Sequence, residues 1–312
     1  GQLTLENRNE LLKSMTDDVS RLVLRNNYLQ TQMLAMNQLD VVKNLPALTD
    51  LMAYLQEHAG LQRKLEFLPD TAQLQQRLTN GQGFANPEIA VLMAYSKMHL
   101  QDALLAGDLP DDVAFNTVLV NYFPQAMQTQ YLNEIENHYL RREIIANQVA
   151  NQVVNRMGIS FVQRLSTEMG RSIDDVVRAY WIASGLYQAE QYFVRIESWD
   201  NQVNAELQMR LMAALARLIS RVARGLLKDH ADLSDLATWQ NRYGSAVQDL
   251  LSQLPELIKA DVHPNVSSAL ETLHAQEAID DNTAQFFARL PYAENLLNLI
   301  DLSEATDQPL AM

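Results

Sequence analysis

Signals that start and stop helices follow one another along this chain, and they constrain its fold more than any other feature. Ser172, with Asp175 three residues later, resembles a capping box, and Asn86-Pro87-Glu88 joins a capping residue, a first-turn proline and an early acid. Only 10 glycines and 9 prolines interrupt 312 residues, so long helices are expected. No segment alternates apolar and polar residues over six positions between turn signals. The sequence therefore predicts an all-α fold, an irregular bundle of roughly ten or more helices without a significant sheet.

Charge and composition exclude several classes of partner. The chain carries 24 basic and 38 acidic residues, a formal charge of −14, and such a field repels nucleic acid and anionic membranes. It has no cysteine, which removes disulfides and thiolate metal ligands and fits a reducing cytoplasm. No apolar run approaches the ~18 residues of a membrane span, and the N-terminus lacks the pattern of a secretory signal. Because the chain begins with Gly1 rather than Met, we expect it to be a piece of a longer protein.

Turn-rich positions suggest a division of the chain. We predict an N-terminal helical segment at 1–80 that links to upstream sequence, a main helical bundle at 81–302 and a frayed tail at 303–312. Pro110 with its two following aspartates is expected to start a helix that Pro124 ends. The later helices are expected near 201–228, 234–253, 265–278 and 282–300.

Paired and spaced acidic residues suggest metal sites, but helix starts explain them better. Asp-Asp pairs occur at 17–18, 111–112, 174–175 and 280–281, as in the DDxxD motif of helical isoprenoid synthases. None has the third carboxylate of that motif, and each stands where acids favour the first turn of a helix. Glu271 and His274 match one ExxH of a di-iron site, whose second copy is missing. We predict no metal ligands.

The predicted helix at 201–228 is amphipathic and carries a row of basic residues. Leucine and valine residues from Leu207 to Leu226 share one face. The basic row lies about a quarter turn away and consists of Arg210, Arg217, Arg221, Arg224 and Lys228. Such a row is typical of a solvated face, and it is also a candidate surface for an acidic partner.

The stretch "HYLRREIIANQVANQVVNRMG" (138–158) reads as one helix with unusual polar content. One side of this helix is expected to carry a stack of Glu134, His138 and Arg142, which continues into apolar residues. Roughly the opposite side is expected to carry Asn147, Asn151 and Asn155. Buried asparagines cost about 1–3 kcal/mol each when unpaired, so these rows favour bonds between helices. The alternative is an anion site, for which arginine is suited, and its further candidates are Arg141 and Arg156.

Four segments together resemble one family. They are "MTDDVSRLVLRNNYLQTQ" (15–32), "NPEIAVLMAYSK" (86–97), the 138–158 stretch and "SIDDVVRAYWIA" (172–183). In this order and spacing they resemble the C-terminal part of the large bacterial NAD-specific glutamate dehydrogenases, and the resemblance covers the chain from about Asn7 onward.

The resemblance implies a parent enzyme that oxidatively deaminates L-glutamate to 2-oxoglutarate and ammonia with NAD, in a cytoplasmic, catabolic homo-oligomer. It also implies that the catalytic core lies upstream in the same polypeptide. We therefore assign no catalytic or NAD-binding residue here and expect the fragment alone to be inactive. The expected role is structural or in assembly. The alternatives are an effector-binding regulatory domain of the same enzyme, or a stand-alone helical interaction module.

Overall fold

The predicted all-α fold is confirmed. A computed structural model describes residues 3–306, and no strand occurs within them. Contacts between Cα atoms divide the chain into unit 1, residues 1–164, and unit 2, residues 165–312. The domain boundaries predicted from the sequence at 80 and 302 stay predictions. The predicted tail at 303–312 is helical as far as 306, and the rest of it lies outside the described residues.

Unit 1 contains nine α-helices and two short 3-10 helices in its described part. The α-helices are α1 (Leu5–Ser14), α2 (Thr16–Leu39), α3 (Val41–His58), α4 (Thr71–Thr79), α5 (Asn86–Ala106), α6 (Asn116–Tyr122), α7 (Gln125–Gln130), α8 (Leu132–Glu136) and α9 (Arg141–Met157). The 3-10 helices are Leu109–Asp111 and Val113–Phe115. Helix α10 (Phe161–Met169) spans the division.

Unit 2 continues with α-helices and one 3-10 helix. They are α11 (Ile173–Leu186), α12 (Ala189–Glu197), α13 (Ala205–Asp229), α14 (Leu236–Leu257), α15 (Pro264–His274), α16 (Asp281–Arg289), the 3-10 helix Leu290–Asn295 and α17 (Leu296–Thr306).

Several helix starts follow the predicted capping chemistry. The Ser172 side chain accepts the N–H of Asp175 at 3.1 Å and caps α11. Asp280 caps α16 by accepting the N–H of Thr283 at 2.9 Å. Of the four Asp-Asp pairs, those at 17–18, 174–175 and 280–281 stand at α-helix starts, where carboxylates meet exposed N–H groups. Of the pair at 111–112, Asp111 ends the first 3-10 helix of unit 1 and Asp112 directly precedes the second.

Three predicted helix bounds were wrong. The helix expected to include His138 begins at Arg141, because the His138 Nδ1 accepts the N–H of Leu140 at 3.1 Å in a turn that precedes α9. Pro110 starts a 3-10 helix, and α6 begins only at Asn116. The helix expected at 282–300 is interrupted over Leu290–Asn295, where Pro291 has no N–H to continue the helical hydrogen bonds.

Each unit has its own apolar core. In unit 1, α5 and α9 form the most extensive helix pair, and α2, α3 and α6 pack beside them. Ile89, Leu92, Ile145 and Val149 are fully buried in this pair. In unit 2, α13 packs on α11, α12 and the 3-10 helix before α17. The buried residues of α13 recur every three or four positions, as the amphipathic pattern predicts.

Candidate functional site

The basic row predicted on α13 forms in the structure, and its N-terminal members are solvated. Arg210 is exposed and pairs with Glu206 one turn back at 2.6 Å. Arg217 is exposed and has no ion-pair or hydrogen-bond partner among residues 3–306. An exposed pair four residues apart contributes only about 0.3–0.5 kcal/mol. The row as a docking surface stays a prediction.

The C-terminal members of the row stand at the rim of a cleft. Arg221 forms an ion pair with Glu294, and Arg224 forms one with Glu168. Lys228, one turn further, is exposed and has no such partner within the described part of the chain. All three cations line the same depression, where the two arginines are paired and the Lys228 ammonium is available.

This cleft has a volume of about 260 Å³. One wall is the last two turns of α13, the second is the start of α14, and the third is formed by Glu294, Asn295 and the first turns of α17. All of these elements belong to unit 2. Small-molecule sites are usually concave, and most of the residues that line this cleft are charged or polar, so it favours a polar ligand.

Stacked aromatic rings form one wall of the cleft. The rings of Trp239 and Tyr243 are nearly parallel, with centroids 5.5 Å apart, and His230 meets Trp239 edge-on at 4.6 Å. The Tyr243 hydroxyl donates to Asp301 at 2.7 Å, and Arg242 lies over its ring at 4.7 Å. Burial, reinforced by the Asp301 carboxylate, raises the pKa of Tyr243, so its hydroxyl stays a hydrogen-bond donor.

Arg171 fixes the end of α13 and so positions the cleft. Its guanidinium donates to the carbonyl oxygens of Leu227, His230 and Ala231 at 2.9–3.0 Å and to the Asp175 carboxylate at 3.1 Å. The last carbonyls of a helix have no partner within it, and an arginine can satisfy several at once. The loop after α13 is thereby held in one conformation.

In unit 1, the two adjacent arginines of the predicted anion site contact the protein itself. Arg141 donates to the Pro110 carbonyl at 2.9 Å and to Asn116 Oδ1 at 2.6 Å. Arg142 pairs with Asp111 and donates to two main-chain oxygens at the end of α5, at 2.8 and 3.0 Å. Arg142 thus connects the start of α9 to the end of α5, and Arg141 connects it to the first 3-10 helix and to α6. This geometry favours a packing role over an anion site.

The asparagine row follows the antiparallel contact of α5 and α9. Asn147 donates to Gln101 Oε1 at 3.1 Å, and Asn151 donates to the Asn147 carbonyl at 3.0 Å. Asn155 is buried, and its Oδ1 has no hydrogen-bond partner. The row therefore bonds α9 to α5 at one end and leaves an unsatisfied acceptor at the other.

The remaining residues of this predicted network are separated. Glu134 lies on α8 and His138 in the turn before α9, so they do not stack with Arg142 along one helix as expected. Arg156 is buried, and its guanidinium lies 3.4 Å from Gln32 Oε1 on α2. The break at 137–140 separates Glu134 and His138 from α9.

Unit 1 also buries polar groups that sequence reasoning missed. The Lys97 ammonium and the Ser96 hydroxyl on α5 have no hydrogen-bond partner. Burial lowers the pKa of Lys97 to about 8. Neighbouring letters of the sequence, "AYSKMHL", contain no signal that separates these side chains from solvated ones.

Sequence reasoning also missed Arg171, Trp239 and Tyr243 of the cleft. Trp239 and Tyr243 are four residues apart and therefore share a helix face, which is the one signal that could have paired them. Arg171 directly precedes a capping serine, a position that indicates a helix start but not a bond to another helix. Their convergence depends on tertiary packing.

The described residues offer neither a metal cluster nor a membrane-spanning helix. Residues 3–306 contain no group of three or more metal-binding side chains close enough to hold an ion. Glu271 and His274 lie on α15, and the exposed His274 ring instead contacts Asp281 at 2.9 Å. Within the same described range, no helix combines the length and apolar character needed to cross a bilayer.

Comparison with known proteins gives two family matches. Residues 81–312 match the family described as glutamate dehydrogenase, C-terminal. Residues 1–37 match the family described as bacterial NAD-glutamate dehydrogenase, catalytic domain. The first match covers most of the chain and includes the α5–α9 pair and all of unit 2.

Three similar proteins are each named NAD-specific glutamate dehydrogenase. The one from Pseudomonas aeruginosa is 34% identical over 311 residues, covering 100% of this chain and 19% of the relative. The one from Halomonas elongata is 38% identical over 75% of this chain and 14% of the relative. The one from Mycobacterium tuberculosis is 30% identical over 96% of this chain and 18% of the relative. The chain thus spans less than a fifth of each relative.

Fold and site together define a helical domain whose described residues contain no strand from which a nucleotide-binding sheet could be built. The chain belongs to the glutamate dehydrogenase C-terminal family.

Proposed function

We propose that this chain is the C-terminal structural and assembly domain of an NAD-dependent glutamate dehydrogenase. The parent enzyme would convert L-glutamate to 2-oxoglutarate and ammonia while reducing NAD, with its catalytic core upstream in the same polypeptide and in a cytoplasmic homo-oligomer. The names of the three relatives and their much greater length support this parent. The domain itself would supply packing surface and no reacting group.

The observation that carries the proposal is an exposed apolar face on α1 and α2. Leu5, Leu12 and Val19 recur every seven residues, and Val23 follows one turn later. Met15, between the two helices, keeps right-handed helical angles, and its N–H donates to Leu11 at 3.1 Å. The four side chains are 46–70% exposed. We call them the N-terminal apolar face.

This face needs a partner. Helix α1 buries none of its 10 residues, and α2 buries only Gln32 and Met33, in its C-terminal half. Isolated helices shorter than ~12–15 residues are marginal in water, because most helix stability comes from packing an apolar face. The segment that carries the face is also the segment that matches the catalytic domain family. We therefore assign the upstream catalytic domain as the partner that covers it.

The test uses the full-length parent enzyme and the 312-residue chain side by side. In the parent, Val19→Asp with Val23→Asp places two charges in the proposed contact, so glutamate-dependent NADH formation should fall and the melting temperature should drop. In the 312-residue chain the same pair should leave the melting temperature within about 2 °C, since both side chains are exposed there. Activity and melting temperature are measured for both proteins.

Val262→Asp is the matched control, because Val262 is 67% exposed and lies in unit 2, outside the catalytic-domain match. It should leave both proteins unchanged. A parent enzyme that keeps full activity and stability with the paired Asp substitutions would falsify the proposed contact.

A further inference from the structure

We propose that the cleft at the C-terminal end of α13 binds a small zwitterion, a molecule with one carboxylate and one ammonium group on a short carbon frame. The inference concerns unit 2 alone and does not depend on the proposed role in a dehydrogenase.

Polar side chains without partners line this cleft. Lys228 and Asp229 are adjacent, exposed and free of ion pairs and hydrogen bonds among the described residues. The side-chain amides of Asn295 and Asn298 on the facing wall are equally uncommitted within residues 3–306. The cleft therefore offers one ammonium, one carboxylate and two amides to a ligand. These groups match the two ends of a zwitterion and the hydrogen bonds that orient it.

The other charged groups around the cleft are already paired. Arg221 is held by Glu294, and Asp301 accepts hydrogen bonds from Tyr243 at 2.7 Å and Arg242 at 2.9 Å. These pairs fix the walls of that part of the site. Walls fixed before binding reduce the loss of side-chain freedom when a ligand enters.

The remaining charges distinguish a zwitterion from a simple ion. A plain carboxylate that approaches Lys228 also meets the repulsion of Asp229, and an amine that approaches Asp229 meets that of Lys228. A molecule with both groups can pair with each of them. Two charge-assisted contacts thus replace one attraction and one repulsion.

The volume and the lining of the cleft indicate how large and how apolar the carbon chain of the ligand can be. The volume of about 260 Å³ is just below the ~300–1,000 Å³ typical of drug-sized ligands, which favours a small metabolite. Apolar lining comes from Val222, Leu226 and Leu297, beside the Trp239 ring. A short aliphatic chain between or beside the two charged groups fits this surface.

The experiment titrates the 312-residue chain with three probes that share a six-carbon chain. Norleucine has both charged groups, hexanoate lacks the ammonium, and hexylamine lacks the carboxylate. Isothermal titration calorimetry and thermal denaturation are recorded for each. Norleucine should bind saturably and raise the melting temperature, because a ligand that binds only the folded form stabilises it. Hexanoate and hexylamine should bind at least about tenfold more weakly.

Three variants locate the site. Lys228→Gln and Asp229→Asn remove one uncommitted charge each and should weaken norleucine binding about tenfold to a hundredfold. Arg217→Gln removes an exposed charge from the same helix outside the cleft and should leave binding unchanged. The proposal is overturned if norleucine does not bind, if hexanoate binds equally well, or if the two cleft variants bind like the control.

Discussion

Units 1 and 2 are both all-helical, but they differ in how completely they cover their apolar residues. Among the described residues, 20 large apolar side chains are exposed, of which 15 lie in unit 1 and 5 in unit 2. Unit 1 also holds four buried side-chain atoms without hydrogen-bond partners, on Arg63, Ser96, Lys97 and Asn155. Unit 2 contains the long amphipathic α13 with its regular buried face. Unit 1 therefore leaves more apolar surface available for the contact proposed above.

A strained loop of unit 1 holds one of its exposed apolar side chains. Phe67 is 90% exposed and has a positive φ of 53°, a conformation that costs a bulky residue about 1–3 kcal/mol. The neighbouring Glu66 carboxylate accepts a hydrogen bond from the Tyr95 hydroxyl at 2.8 Å. This bond ties the loop to α5 while the phenyl ring stays in solvent.

The largest expected effect comes from truncating the core of unit 2. Leu215 on α13 is fully buried, so Leu215→Ala should lower the free energy of unfolding by about 2–5 kcal/mol. Leu12→Ala on α1, where the side chain is 50% exposed, should change it by less than about 0.5 kcal/mol. Urea unfolding of the 312-residue chain measures both. Equal losses for the two variants would mean that α1 is packed as tightly as α13.

A smaller effect is expected at the clamp on the end of α13. Arg171→Met removes the donors to three carbonyls, and the free energy of unfolding should fall by about 2–3 kcal/mol. Arg210→Met removes only an exposed pair with Glu206 and should cost about 0.3–0.5 kcal/mol. Urea unfolding distinguishes the two, and amide hydrogen exchange should show faster opening of residues 226–231 in the first variant. Unchanged exchange there would contradict the clamp.

The third substitution lies in unit 1 and is expected to raise the free energy of unfolding instead of lowering it. Lys97→Met removes a buried ammonium without a partner and should stabilise the chain at pH 7 by about 1–2 kcal/mol. The folded-state pKa of about 8 lies below the ordinary value of 10.5, so between these values the unfolded state binds more protons. The stability of the unsubstituted chain should therefore rise from pH 8 to about pH 10.5, and the advantage of the variant should shrink. Thermal melts across this pH range measure both curves.

Lys43→Met is the control for that series, because the Lys43 side chain is 82% exposed and pairs with Asp40 at the surface. Its melting temperature should follow that of the unsubstituted chain at every pH. A destabilised Lys97→Met variant at pH 7 would show that the ammonium has a partner when the protein is in solution.

Local signals predicted the class of fold and many helix ends. Ser172 caps α11 as predicted, and Gly107 ends α5, because these effects depend on a few neighbouring residues. The turn at His138 was missed because a side chain that bonds to nearby main chain competes with the helix, and periodicity does not register this competition. Pro291 was a local signal for the break between α16 and the following 3-10 helix, and the prediction of a helix at 282–300 overlooked it.

The candidate site was predictable only in part. Helical spacing predicted the row from Arg210 to Lys228. It could not predict which members of the row form ion pairs, because the partners Glu168 and Glu294 are distant in sequence. The sequence indicated Arg141 and Arg142 as members of a polar network or an anion site, but it could not predict their partners on other elements. The cleft itself depends on the packing of α13, α14 and α17, and no local pattern encodes that.

Helix α2 also has a mechanical consequence. It has 24 residues and so is about 36 Å long, and its buried residues, Gln32 and Met33, lie about two-thirds of the way along it. Near the N-terminus of the helix, Asp18 accepts the N–H of Gln125 at 3.0 Å. A tilt of about 10° around Gln32 would move Thr16, about 24 Å away, by about 4 Å and would break this bond. The Asp18 bond therefore helps to fix the direction of the segment that matches the catalytic domain family.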